Sequence, residues 1–121
     1  MHLLATAVAS PFCEHYQMAY LYCSDVQSGY CFSLSRFPDD ASIEIMVVDQ
    51  RTYKVDDLDS VRFTGHSIHV VIDARTAGHL DNATRYDITL VPGEYDADAI
   101  RAALEKIFEG KAGYRAHGGE S

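Results

Sequence analysis

The stretch that most restricts the fold is "VRFTGHSIHVVID", residues 61–73. A two-residue loop at Gly65-His66 puts glycine first, as a type II′ hairpin turn requires. Thr64 then faces Ser67, Phe63 faces Ile68, Arg62 faces His69 and Val61 faces Val70. This register gathers Val61, Phe63, Ile68, Val70 and Ile72 on one side, with Arg62, Thr64, Ser67 and His69 on the other. A slip of one residue would exchange the two sides, so the pattern itself specifies the register.

The same period of two runs through most of the chain. "MHLLATAVAS" (1–10) is too short in its apolar run, and lacks the basic start, for a signal peptide; it reads as a first strand of a cytoplasmic protein. "QMAYLYC" (17–23) places Met18, Tyr20 and Tyr22 on one face. "YCFSLSR" (30–36) places Tyr30, Phe32 and Leu34 on one face and Cys31, Ser33 and Ser35 on the other. The polar "SDVQSG" between them contains Gly29, so the two form a hairpin. "FPDDAS" (37–42) is a turn, and Ile43, Ile45 and Val47 begin the next strand. "ARTAGHLDNA" (74–83) reads as a loop with one helical turn. "TRYDITLVP" (84–92) turns Tyr86, Ile88 and Leu90 inward and Arg85, Asp87 and Thr89 outward.

After Pro92-Gly93 the period changes. In "DADAIRAALEKIFEG" (96–110), Ile100, Ala103, Leu104, Ile107 and Phe108 recur at helical spacing. Asp96 suits the N-cap, Asp98 the positive end of the helix dipole, Lys106 the other end and Gly110 the C′ position. The expectation is an α+β domain over residues 1–110: a mostly antiparallel, meandering sheet of six or seven strands, with one C-terminal amphipathic helix packed on it. The glycine-rich "KAGYRAHGGES" (111–121) is expected to be a flexible tail, or to be ordered only by contacts with its neighbours.

With 121 residues the chain suits one domain, and its net charge of −8 disfavours nucleic acid and anionic membranes as partners, both of which select basic surfaces. No stretch approaches the ~20 apolar residues of a membrane-spanning helix. Three cysteines (Cys13, Cys23 and Cys31) without CxxC spacing fit a reducing compartment, with one disulfide plus a spare thiol as the alternative.

Negative charge concentrates between Asp39 and Asp59. Seven acids (Asp39, Asp40, Glu44, Asp49, Asp56, Asp57, Asp59) stand against two bases, Arg51 and Lys54, a net −5. "DDLD" lacks the ordered oxygens and the glycine of a calcium loop. Hydrated loop acids explain such a run; so does a docking face for a basic protein, with Tyr53 as its aromatic anchor.

Catalytic motifs are weak. The pair in "HSIH" (66–69) is three apart, on opposite faces of a strand. Cys13 and His15 share a face if extended, but no four-ligand zinc spacing accompanies them, and Glu14 beside Cys13 disfavours a thiolate. There is no GxSxG, P-loop or GxGxxG. No catalytic residue, metal or cofactor is expected.

"YCFSLSR", "IEIMVVDQRTYKVDDLDSVRFTGHSIHVVID" and "IRAALEKIFEG" together resemble the immunity protein 10 family of bacterial polymorphic-toxin systems, over residues 28 to 110. Asp49-Gln50, Ser60-Val61 and Ile107-Phe108-Gly110 carry the likeness; "RTYKVDD" replaces a loop richer in Gly and Tyr. The resemblance implies an antitoxin that occludes a cognate toxin domain without catalysis, with Asp49, Gln50, Tyr53, Asp56, Asp57 and Asp59 making the contact. A homodimeric binding or regulatory module that pairs through a sheet edge is the alternative. A small Cys/His enzyme ranks last.

Overall fold

A computed structural model describes residues 1–15, 17–48 and 51–116. In chain order the elements are β1 (His2–Cys13), β2 (Met18–Asp25), β3 (Cys31–Arg36), β4 (Ile43–Val47), β5 (Arg51–Val55), β6 (Ser60–Phe63), β7 (Ser67–Val71), α1 (Ala74–Gly78), β8 (Arg85–Leu90), α2 (Ala97–Ile107) and β9 (Tyr114–Ala116). The strands form one sheet in the order β5-β4-β3-β2-β1-β8-β7-β6-β9.

The α+β class agrees with the alternation, but six or seven strands is an undercount. Among the described residues eight strands have four residues or more, and β9 adds a three-residue ninth. Nor is the sheet a simple meander. Two antiparallel runs, β1 to β5 and β6 to β8, are joined where β1 lies parallel to β8, with His2 opposite Asp87 and Ala5 opposite Leu90. β9 adds a second parallel pair on β6. The segment expected as a loop after Gln50 forms β5, an edge strand where only Tyr53 and Val55 are partly buried, so it shows no clear alternation. Residues 111–116 are not loose: β9 is held by its neighbours, while residues 117–121 lie outside the described residues.

The β6–β7 hairpin has the expected register, Phe63 opposite Ile68 and Val61 opposite Val70. Gly65 sits at φ +105°, a conformation that strains any residue with a Cβ. The inward set (Val61, Phe63, Ile68, Val70 and Ile72) is buried. So are Tyr86, Ile88 and Leu90 on β8.

Helix α2 covers the inner face over β1 and β2. Those strands present Ala5, Ala7 and Ala19 inward, small side chains beneath a helix that buries Ile100, Ala103, Leu104 and Ile107. Each large aliphatic so buried contributes roughly 1.5–3 kcal/mol. Asp96 caps the helix by accepting from the Asp98 and Ala99 N–H groups at 3.0 and 3.2 Å. At the other end Arg36, from β3, donates to the Ile107 and Glu109 carbonyls at 2.9 and 2.8 Å, satisfying helix-end acceptors. Phe108 is the C-cap, so Gly110, at φ +78°, lies one position beyond the expected C′.

The sheet is strongly curled. β3 and β8 are separated by two strands, yet the Phe32 and Tyr86 rings meet at 4.7 Å between centroids. Above them the Tyr30 hydroxyl donates to Asp81 and pairs with the Tyr86 hydroxyl, each at 3.0 Å. Burial raises the pKa of both phenols above the ordinary tyrosine range. No helix among the described residues is long and apolar enough to cross a membrane.

Candidate protein-binding surface

The acidic turn between β5 and β6 is where the sequence places the contact residues. Asp57 is committed to structure. Its Oδ1 accepts from Leu58 N at 2.8 Å and Gly113 N at 3.1 Å, and its Oδ2 accepts from Ala112 N at 2.9 Å. Lys111 Nζ donates to the Asp56 carbonyl, and Val61 N donates to the Gly113 carbonyl at 2.8 Å. One carboxylate thus stitches the C-terminal segment to the turn. Gly113 is required there: a methyl would strike the Leu58 carbonyl and come within 2.5 Å of Asp57 Oδ1. Asp57 therefore holds the turn, and the exposed carboxylates on it belong to Asp56 and Asp59.

Tyr53, from β5, stacks on His79 at 4.1 Å with 5° between the rings, which ties the edge strand to the α1 connection. Arg51 donates to the Leu80 carbonyl at 3.1 Å on the same seam. Tyr53, Asp56 and Asp57 line a shallow groove with Asp73 and Arg75. The sequence thus brings three of its six candidates together. Asp59 is exposed beyond them, and Asp49 and Gln50 lie outside the described residues. Val48, the last described residue before them, has φ +60°, unusual for a β-branched residue. Further along the acidic run, Asp40 pairs with Lys54 at 3.0 Å, and the Ser42 N–H and that ammonium hold its carboxyl below the usual range.

The sequence reading missed a Ser–His–Asp chain on the outer face of β7 and β8. Asp87 Oδ1 lies 2.8 Å from His69 Nδ1, and His69 Nε2 lies 3.0 Å from Ser67 Oγ. The signal was present: Ser67 and His69 share a face, and His69 is cross-strand from Asp87. The spacing resembles a nucleophile, base and orienter. Two features point to a structural chain. Ser67 is 8 % exposed, with its oxygen held between His69 and Thr64 Oγ1, the latter at 2.7 Å. The nearby Ser67 and His66 N–H groups donate to Thr64 Oγ1 at 3.0 and 3.4 Å, so they are not poised as an oxyanion hole. His69 and Arg85 hold the Asp87 carboxyl down to about 2, the His69 bond being the larger cause.

Cys23 is buried, and burial pushes its thiol up to about 12, which leaves it unreactive at neutral pH. Among the described residues no three His, Cys, Asp or Glu side chains are grouped to hold a metal.

A second surface also escaped the sequence reading. On β2 it is Ala19, Leu21 and Cys23 that enter the core, which turns Met18, Tyr20 and Tyr22 outward. The available signal was that β2 is apolar on both faces, the mark of a strand covered on both sides. The outward tyrosines line one wall of a trough about 400 Å³ in volume. Ser33 and Ser35, on β3, form its floor, and Glu44 and Met46, on β4, form the opposite wall. Val8 (57 % exposed) continues the apolar surface onto β1. Tyr22 is fixed in place, its hydroxyl 2.8 Å from Cys31 Sγ.

No family model, curated protein or solved structure matches this chain.

Proposed function

We propose that this chain is an inhibitor that binds a basic toxin domain and covers its working surface, as the likeness to the immunity protein 10 family implies. The observation that carries the reading is the pair of carboxylates on the β5–β6 turn. Asp57 locks that turn to the C-terminal segment, so Asp56 and Asp59 are presented outward on a rigid support. Charge held in place beforehand costs little ordering on binding and steers a cationic partner. A net charge of −8 extends that attraction over the whole molecule. Tyr53 lies on the same groove, and its stack on His79 gives it a fixed orientation. Inhibition by coverage uses no catalytic group, in keeping with a Ser67–His69–Asp87 chain spent on structure.

The test is calorimetry and stopped-flow binding with the C-terminal domain of the protein encoded immediately upstream. The wild-type chain is expected to bind and inhibit it. Asp56→Asn/Asp59→Asn should associate about tenfold more slowly at low salt and converge with wild type at high salt. Equal association rates at low salt would remove the acidic turn from the contact.

β5 favours the homodimeric module as the second reading, because it is a sheet edge with one neighbour, β4. A doubled mass in light scattering, abolished by Thr52→Pro, would support it.

A further inference from the structure

We infer that the trough on the outer face of β2, β3 and β4 is the seat for an extended, apolar segment of the same basic partner, flanked by Lys or Arg. This rests on the inhibitor reading for the partner's identity, but the trough's shape and chemistry stand apart from the acidic turn.

The shape follows from the sequence. β3 puts serines on the outer face, where β2 puts tyrosines and β4 puts Met46 and Glu44. Small residues on the middle strand, between tall ones on its neighbours, leave a channel running along the strand direction. The flanking backbones lie about 9.5 Å apart, two strand spacings. Tyrosine and methionine side chains narrow that gap further. A helix of roughly 10–12 Å diameter does not enter it, whereas the side chains of a single extended chain do.

The chemistry also points to a macromolecular occupant. Tyrosine and methionine are the residues enriched at protein contacts, and an apolar run on a solvent face marks such a contact. At the floor, Ser33 is half-buried and Ser35 buried, short side chains that leave the space between the walls open. Tyr22 is pinned by Cys31, so the wall does not have to be ordered on binding.

Charge selects the occupant's flanks. Glu44 stands on the trough wall, and its cross-strand neighbour Lys54 is already engaged by Asp40 at 3.0 Å. Glu44 is the charged side chain on the trough's lining, so the trough favours a cationic segment over an acidic one. A second copy of this chain, itself at −8, is disfavoured by the same field.

The experiment does not require the toxin. Random peptides displayed on phage are selected on the wild-type protein, with Tyr20→Ser/Tyr22→Ser as the counter-selection. Enriched peptides should alternate apolar residues and carry Lys or Arg. Their affinity should fall at least about tenfold in the double variant, and should weaken for Glu44→Gln. Amide shifts on peptide titration should centre on Ser33, Ser35 and Met46. Thermal melts of each variant confirm that it is folded before binding is scored. Failure to enrich above the counter-selection, acidic consensus peptides, or shifts centred on β5 would overturn the inference. So would a wild-type dimer that Tyr20→Ser/Tyr22→Ser dissolves, because the seat would then belong to a second copy. The two readings fail separately: if trough peptides bind normally while Asp56→Asn/Asp59→Asn leaves toxin association unchanged, only the acidic turn is lost.

Discussion

Over β6, β7 and β8 the outer face of the sheet is polar and cross-linked; over β1 to β4 the same face is apolar and open. On the first half, Thr64, Ser67, His69, Asp87 and Arg85 form a continuous hydrogen-bonded chain across the strands. On the second, Met18, Tyr20, Tyr22 and Met46 stand over serines. Both halves belong to one sheet and share one core, so folding alone does not explain the contrast. A face meant only for water is better served by polar groups that satisfy one another. The apolar half carries side chains that water does not reward, which is why it reads as a surface awaiting cover.

The sharpest way to break this comparison is to remove Asp87. With 15 % of its side chain exposed, it bonds both His69 and Arg85; Asp87→Ala leaves the partly buried His69 Nδ1 without its partner, while exposed Arg85 turns to water. A loss of about 1–3 kcal/mol in urea unfolding is expected. A loss near zero would mean that the chain decorates the polar half without holding it.

Acid titration comes next in size. His69 first, then Arg85, holds Asp87 down to about 2, below the unfolded value of about 4. A depressed carboxyl favours the fold above its unfolded pKa and loses that contribution as the pH falls through the folded value. Stability should therefore decline between about pH 4 and about pH 2. Asp25, on the β2–β3 turn, is held down to about 2 by the backbone N–H groups of Ser28, Leu4 and Gln27, and it adds to the same window. Asp87→Asn should flatten part of the decline and leave the Asp25 part, as read by circular dichroism against pH.

The smallest effect sharpens the contrast. Tyr20→Ser/Tyr22→Ser should change stability by no more than about 1 kcal/mol, because these rings cover the outside of the sheet. A cost as large as that of Asp87→Ala would show that the apolar half is a second core.

What the sequence disclosed follows the same division. The β6–β7 hairpin was legible to the residue, because Gly65 fixes the turn and one side is wholly apolar. Helix α2 was legible from its period and from Asp96. The parallel pairing of β1 with β8 was not, because alternation tells which side chains are inward and nothing about which strand lies alongside. β5 was lost because an edge strand buries too little to show a pattern. At the candidate site, the charge on the β5–β6 turn was plain. The demotion of Asp57 to a clamp was not, since its partners, Ala112 and Gly113, lie more than fifty residues away. The trough escaped because Met18, Tyr20 and Tyr22 look like core residues until Ala19, Leu21 and Cys23 claim the inside.

The seam between β1 and β8 also dictates a timetable. As the chain leaves the ribosome, β1 to β5 can zip together in order, each strand finding the one just made. β1 keeps one side bare until β8 emerges some eighty residues later and docks alongside it. In that interval the nascent protein exposes an unmated strand and the alanine-lined floor that α2 will later roof. The slowest and most aggregation-prone moment of its birth should therefore be the wait for β8.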